Sequence, residues 1–378
     1  MRVLIHAVSI QKTGGSTRHL TGFIPALTDA GSSHEFLLCL NADFAGRWKF
    51  QAPNLQVLAA RVGGSLGRVW WDLNTLPKLV AEHRIDVVLS LLSFGCVRPH
   101  IKQVVFERNP IYFCDHYLTS LSTRQHLVVA LRRRLIRAAM RASQTVVTPS
   151  VAMRDMIRHY CPEIPCAKFV VLPHAFDAGR FRRAEPLPPT VEDAVRQTDQ
   201  VRILYVSHLM PHKGFGVLVA SVKHLADMGV RFKLTITIDR ADWPAGYDAL
   251  VADVNRLALE SYIVMVGRVP EDAVANLYLS SDIFFFPSLC ESFGFPMVEA
   301  LSLGLPIVAA DTPVNREICG DAALYYPATD SAAAAGQLHQ LVVDPERRRD
   351  IGERASRKYD SEDRSWKTYA ARCLQLLR

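Results

Sequence analysis

Short β-favouring runs alternate with helical patterns along this chain, and the alternation occurs twice. In the first half, residues 2–8, 36–40, 55–59, 86–91, 103–106 and 145–148 read as strands. Helical patterns cover 18–30, 70–83 and 124–141. The second half restarts with strands over 201–206, 232–238, 263–266, 282–286 and 307–309, and with a helix over 215–228. Parallel neighbours need long crossover connections, which helices supply, so this order points to open parallel sheets of the α/β class. Residues 181–200 are polar, proline-bearing and unpatterned, and read as an inter-domain linker. In such sheets ligands sit at the carboxyl ends of the strands, so the loops there are where chemistry is expected.

A chain of 378 residues is long enough for two domains. No apolar run is long enough to span a bilayer, and residues 1–10 read as a strand without the apolar core or cleavage site of a signal peptide. The expected location is the cytoplasm, where thiols stay reduced. The eight cysteines are scattered without a Cys-x-x-Cys, so small buried apolar roles are expected of them. Charge is uneven. Residues 1–180 hold 22 Lys and Arg against 11 Asp and Glu, whereas the remainder holds 22 against 26. Different partners are expected for the two halves.

The densest chemistry lies between the strand over 282–286 and the strand that starts at Ile307. Pro287-Ser288-Leu289-Cys290-Glu291 leads through Ser292-Phe293-Gly294-Phe295 to Pro296, suited to a helix's first turn. Gly304-Leu305-Pro306 ends that helix. Glu291 therefore lies in the loop and Glu299 on the helix. The N–H groups of Phe293, Gly294 and Phe295 make a helix start suited to a phosphate. The two carboxylates suit sugar hydroxyls, from which they accept hydrogen bonds.

Pro-Ser, then Glu291 and Glu299 with seven residues between them, then Gly-Leu-Pro-Ile-Val-Ala, resembles the paired-glutamate signature of retaining glycosyltransferase family 4, of the GT-B fold. The resemblance is strong over the second half and loose over the first. It implies two Rossmann-like doubly wound domains facing across a cleft, over 1–180 and 199–360, with the C-terminal helix of 361–378 crossing back to the first. It implies transfer of a sugar from a UDP- or GDP-linked donor to an acceptor hydroxyl with retention. No cofactor and no metal are implied, and no Asp-x-Asp follows a strand to hold one. Glu291 would hold the reacting sugar and Glu299 the ribose. Lys213 matches the lysine that neutralises the diphosphate. His208 stands where the family usually has arginine, so the full charge expected there is missing unless the imidazole is protonated. Gly267-Arg268-Val269 resembles the segment whose backbone borders the base. Gly14 and Gly15 match the loop that approaches donor phosphate and acceptor. The family often carries a histidine near the reacting centre, matched here either by His116 or, if Asn109 occupies that place, by an asparagine. Phe293 and Gly294 would offer backbone N–H groups to the diphosphate.

Arg132, Arg133, Arg134, Arg137 and Arg141 are interleaved with Leu127, Val128, Leu131, Leu135 and Ile136 on one helical pattern. That pattern is either an ordinary solvated basic face or a peripheral contact for anionic membrane at the inner face of the cell. Nucleic acid is not expected, because no recognised module accompanies the charge. The expected partners are a nucleotide sugar and a glycan or lipid-linked acceptor, in bacterial polysaccharide or glycolipid biosynthesis. Competing readings are a sugar-nucleotide epimerase of related fold and a non-catalytic scaffold.

Overall fold

The computed structural model describes all residues except 11–14, 47–48, 98–99 and 196–198, and the side chains of 44, 65 and 66 also lie outside the description. Gly14 falls among the residues not described. The chain forms two compact units, Met1–Phe176 with Arg364–Arg378, and Asp177–Asp363.

Among the described residues, the first unit holds seven parallel strands: β1 (Arg2–His6), β2 (Glu35–Asn41), β3 (Leu55–Ala60), β4 (Val87–Ser90), β5 (Lys102–Phe106), β6 (Thr145–Thr148) and β7 (Phe169–Val171). Their order is β3-β2-β1-β4-β5-β6-β7, so the chain reverses direction across the sheet between β1 and β4. The central strands carry unbroken apolar stretches, Val3–Ile5, Val87–Leu89 and Val104–Phe106, as expected of parallel strands covered on both faces. Val3, Ile5, Leu89, Val104 and Phe106 pack with Leu20, Phe23, Ile24 and Leu27 of the helix Gly15–Ala30. The last helix, Trp366–Leu376, lies against that same helix. A Cβ on Gly22 would stand 2.2 Å from Trp366 Cε2, so only glycine allows this approach. His19 Nε2 and Tyr369 Oη, 2.9 Å apart, close the contact.

The second unit holds β8 (Val201–Tyr205), β9 (Phe232–Ile236), β10 (Ile263–Met265), β11 (Ile283–Phe286), β12 (Ile307–Asp311) and β13 (Ala323–Pro327), ordered β10-β9-β8-β11-β12-β13 and all parallel. Its reversal lies between β8 and β11. Phe284, Phe285, Phe286, Ile307 and Val308 are fully buried.

Several sequence expectations shift. β7 and β13 were not expected: one is three residues long, and the other ends in proline, which reads against a strand away from a sheet edge. The helix expected over 70–83 starts at Gly64 and passes through a π-helical turn, Trp71–Thr75, where buried Asp72 meets Arg68 and His6. Residues 181–200 are not unpatterned. They contain the helix Pro189–Val195, and Phe181 packs on Tyr278 with ring centroids 5.8 Å apart. Seven of the cysteines are buried and Cys166 is exposed, none of them in a disulfide.

Candidate active site

In the second unit, two loops leave neighbouring strands at the reversal point, where open parallel sheets bind ligands. After β8 the chain runs through Ser207 and His208 to the turn Pro211–Lys213 and then the helix Phe215–Asp227. After β11 it runs through Ser288 and Glu291 to the helix Phe295–Ser302, with Pro296 in its first turn. The loops are locked to each other. Leu289 N–H donates to His212 carbonyl at 3.0 Å. Gly214 has φ +71°, and a Cβ there would stand 2.0 Å from the Pro287 carbonyl oxygen. A left-handed backbone pressed against another main chain leaves room only for glycine.

This lock brings Lys213 Nζ to 2.6 Å from Glu291 Oε1, with the side chains 11% and 13% exposed. Ser288 Oγ donates to the same oxygen at 2.6 Å. Buried Tyr205 donates from its hydroxyl to Lys213 carbonyl at 2.8 Å, fixing the backbone under the ammonium. Asn315 Nδ2 donates to Ala310 carbonyl at 2.8 Å and Ser288 carbonyl at 3.5 Å, which steadies the loop from below. Glu299 is 2% exposed, and Tyr278 Oη donates to its Oε2 at 2.6 Å. Phe293 is buried and its ring meets Phe295 edge-on at 5.4 Å.

His208 is open to solvent on one side. The protein around its other side, and then the Lys213 ammonium, hold its pKa down to about 4. The imidazole is therefore neutral near pH 7 and brings no charge in the absence of ligand, so the cationic stand-in considered from the sequence is not present in this state. Asp242, beyond β9, accepts from Leu209 N–H at 3.3 Å and pairs with Arg268 Nη2 at 2.5 Å. Val269 is half-buried beside it in sequence.

In the first unit, Gly15 opens the helix Gly15–Ala30, and its carbonyl accepts from Arg108 Nη2 at 3.4 Å. Asn109 follows β5; its Oδ1 accepts from Ile111 N–H at 3.3 Å and its own N–H donates to Glu107 Oε1 at 3.2 Å. His116 sits elsewhere, exposed on the turn Asp115–Leu118. Glu107, not singled out from the sequence, is fully buried, and Ser93 Oγ donates to it at 2.7 Å. Burial pushes its pKa up to about 8. Tyr278 and Asn315 were missed as well. A tyrosine or asparagine on a helix carries no sequence signal until the partner's position is known.

The arginine-rich helix is Thr123–Ala142, and its packing differs from expectation. Val129, Ile136, Ala139 and Met140 are buried, while Leu127 and Leu131 are 69% and 58% exposed and Val128 is exposed too. Arg133 donates to Tyr112 carbonyl and lies over the Tyr160 ring, and Arg137 pairs with Glu163. Arg132 interacts with Tyr112. These three serve the fold, whereas Arg134 and Arg141 are exposed.

No helix among the described residues is long and apolar enough to cross a membrane. Two family models match the chain: "Glycosyltransferase Family 4" over residues 13–180 and "Glycosyl transferases group 1" over residues 190–358. An O-antigen chain mannosyltransferase B from Escherichia coli is 30% identical over 37% of this chain, an alignment spanning 36% of that relative's length. A phosphatidyl-myo-inositol mannosyltransferase from Mycolicibacterium smegmatis is 25% identical over 100% of this chain and 93% of its own. Among solved structures, the sucrose-phosphate synthase of Thermosynechococcus elongatus superposes with TM-score 0.76 at 16% identity, over 99% of this chain and 97% of its own. The Anabaena protein HepE in complex with UDP and glucose superposes with TM-score 0.74 at 17% identity, over 100% and 99%. With both halves matched in order and two parallel-sheet units of the GT-B kind, the chain belongs to the group 1 glycosyltransferases of family 4.

Proposed function

We propose that this chain transfers a sugar from a nucleotide-diphosphate donor to an acceptor hydroxyl, with retention and without a metal, in bacterial polysaccharide or glycolipid biosynthesis. The observation that carries this reading is the Lys213–Glu291 pair, held at the sheet's reversal point by the interlocked loops. In the reaction the acceptor oxygen bonds to the anomeric carbon as the bond from that carbon to the diphosphate breaks. The acceptor's proton passes to the departing phosphate oxygen. Charge grows on the leaving diphosphate, and Lys213 with the N–H groups of Phe293, Gly294 and Phe295 stabilises it where it grows. Glu291 accepts hydrogen bonds from the transferred sugar, oriented by Ser288. Glu299, oriented by Tyr278, takes the ribose. The backbone of Arg268 and Val269 lies along the base. Gly14, Gly15 and Asn109 serve the acceptor side, with Asn109 rather than exposed His116 in the place of the family's histidine.

The support for a UDP-linked donor is that HepE is solved with UDP and glucose. The support for a glycan or lipid acceptor is the mannosyltransferase relatives. Contact with anionic membrane at the inner face of the cell is a second part of the proposal. Its residues are revised to the exposed stripe Leu127, Leu131, Arg134 and Arg141, flanked by Val128. Apolar side chains beside arginine on one exposed helix face suit a negatively charged lipid surface.

The test is turnover of a panel of nucleotide sugars in excess chelator, with proton NMR of the product's anomeric configuration. Retained configuration and full rate in chelator are expected. An inverted product would overturn the stereochemistry, and activity that only magnesium restores would overturn the metal-free reading.

A further inference from the structure

A diphosphate in this site faces a shortage of positive charge. Lys213 is already paired with Glu291, and His208, on the same loop, is an imidazole and not a permanently charged side chain. The structure offers a second cation from another strand. Arg268 follows β10, and its guanidinium is 53% exposed. Asp242 is only 13% exposed, and it binds in two directions: Oδ2 accepts from Leu209 N–H, and Oδ1 holds Arg268 Nη2. One carboxylate thus ties the arginine to the backbone immediately after His208. The acid is the covered end of the pair and the guanidinium the open end, so the positive end of that dipole faces solvent at the carboxyl edge of the sheet. Guanidinium carries five N–H donors in a fixed plane, and Asp242 occupies one of them, leaving a face suited to phosphate oxygens.

We infer that Arg268, tethered by Asp242, supplies the diphosphate-binding positive charge that His208 lacks, and that its side chain acts on the phosphates more than on the base. The inference rests on the nucleotide-sugar reading above. It assigns the side chain of Arg268 a role distinct from the backbone contact that the family resemblance implies. It also explains why the site tolerates an imidazole at position 208: the charge comes from the β10 loop instead of the β8 loop. The neutral ring is left to donate or accept one hydrogen bond.

The experiment is calorimetric titration of the full chain with UDP, GDP and ADP and with the matching nucleosides, at fixed salt. Arg268→Ala is expected to weaken the bound nucleoside diphosphate by ~10-fold or more, the loss of one charge-assisted hydrogen bond, and to leave the nucleoside unchanged. Adding His208→Arg to Arg268→Ala is expected to restore most of the loss, because the new guanidinium starts from the residue beside the tether. Unfolding midpoints close to the parent's would show that the variants are folded; Arg268→Gln is the milder variant if Arg268→Ala is not. Equal losses for nucleoside and diphosphate would place Arg268 on the base and overturn the inference. So would an unchanged diphosphate affinity in Arg268→Ala while Lys213→Ala weakens it, an outcome that leaves the donor reading standing. Absence of any nucleoside diphosphate binding by the parent would overturn both.

Discussion

Replacing Lys213 by methionine keeps the length of the side chain and removes its charge. Glu291 would then keep Ser288 Oγ and lose the ammonium at 2.6 Å. Removing one partner of a fully buried pair costs about 3–5 kcal/mol, because a charge is left unpaired. Here both side chains are a little over a tenth exposed and one donor remains, so about 2 kcal/mol is the expected loss. In a unit of this size that lowers the unfolding midpoint by about 4–8 °C. Glu291→Gln alone leaves the ammonium unpaired and costs a similar amount. The double variant removes both charges and should recover most of the loss, giving a coupling of about 1.5–3 kcal/mol in a double-mutant cycle. Thermal unfolding of the four proteins without ligand measures it. A double variant whose loss equals the sum of the single losses would refute the pairing and, with it, the placement of both groups at one site. Under the proposed function, a bound diphosphate would draw Lys213 toward itself and free Glu291 for the sugar.

Gly214→Ala should destabilise the second unit by at least the ~1–2 kcal/mol of a left-handed residue, with more from the contact at Pro287, and calorimetric unfolding would read it. Glu107 gives a pH signature. Its folded pKa of about 8 lies above its ordinary value of 4.5, so the folded state binds more protons across that window. Stability should therefore fall as pH rises from about 4.5 to 8, by at most ~1.4 kcal/mol per pH unit from this group, and Glu107→Gln should flatten the slope in denaturant titrations. Leu127→Ser with Leu131→Ser should reduce flotation with vesicles rich in phosphatidylglycerol without lowering the unfolding midpoint. Equal flotation of parent and variant would return the helix to an ordinary solvated face.

Strands β8 to β12 of the second unit were legible because they are mostly apolar runs and the loops between them carry glycine and proline at the turns, whereas β13 was not read. The paired glutamates were legible for the same reason, since strand, loop and helix start fix where each acid lies. What could not be read was which side chains meet. Asp242 and Arg268 come from different strand ends, and Tyr278 reaches Glu299 from a separate helix. Such contacts depend on sheet order, which alternation alone does not specify. The arginine helix misled in another way. Its buried face is Val129, Ile136, Ala139 and Met140, and arginine stems cover part of the remainder, so the two most conspicuous leucines stay outside. Strand β7 escaped because three residues carry no periodicity.

The most direct test of donor binding at the β8–β11 reversal is a crystal structure of the chain with the nucleoside diphosphate that binds most tightly in titration. The diphosphate is expected within hydrogen-bond distance of Lys213 Nζ and of the N–H groups that start the helix Phe295–Ser302, with the ribose toward Glu299. Nucleotide bound away from these groups, or anchored solely to the first unit, would contradict the assignment of the second unit as the donor-binding half.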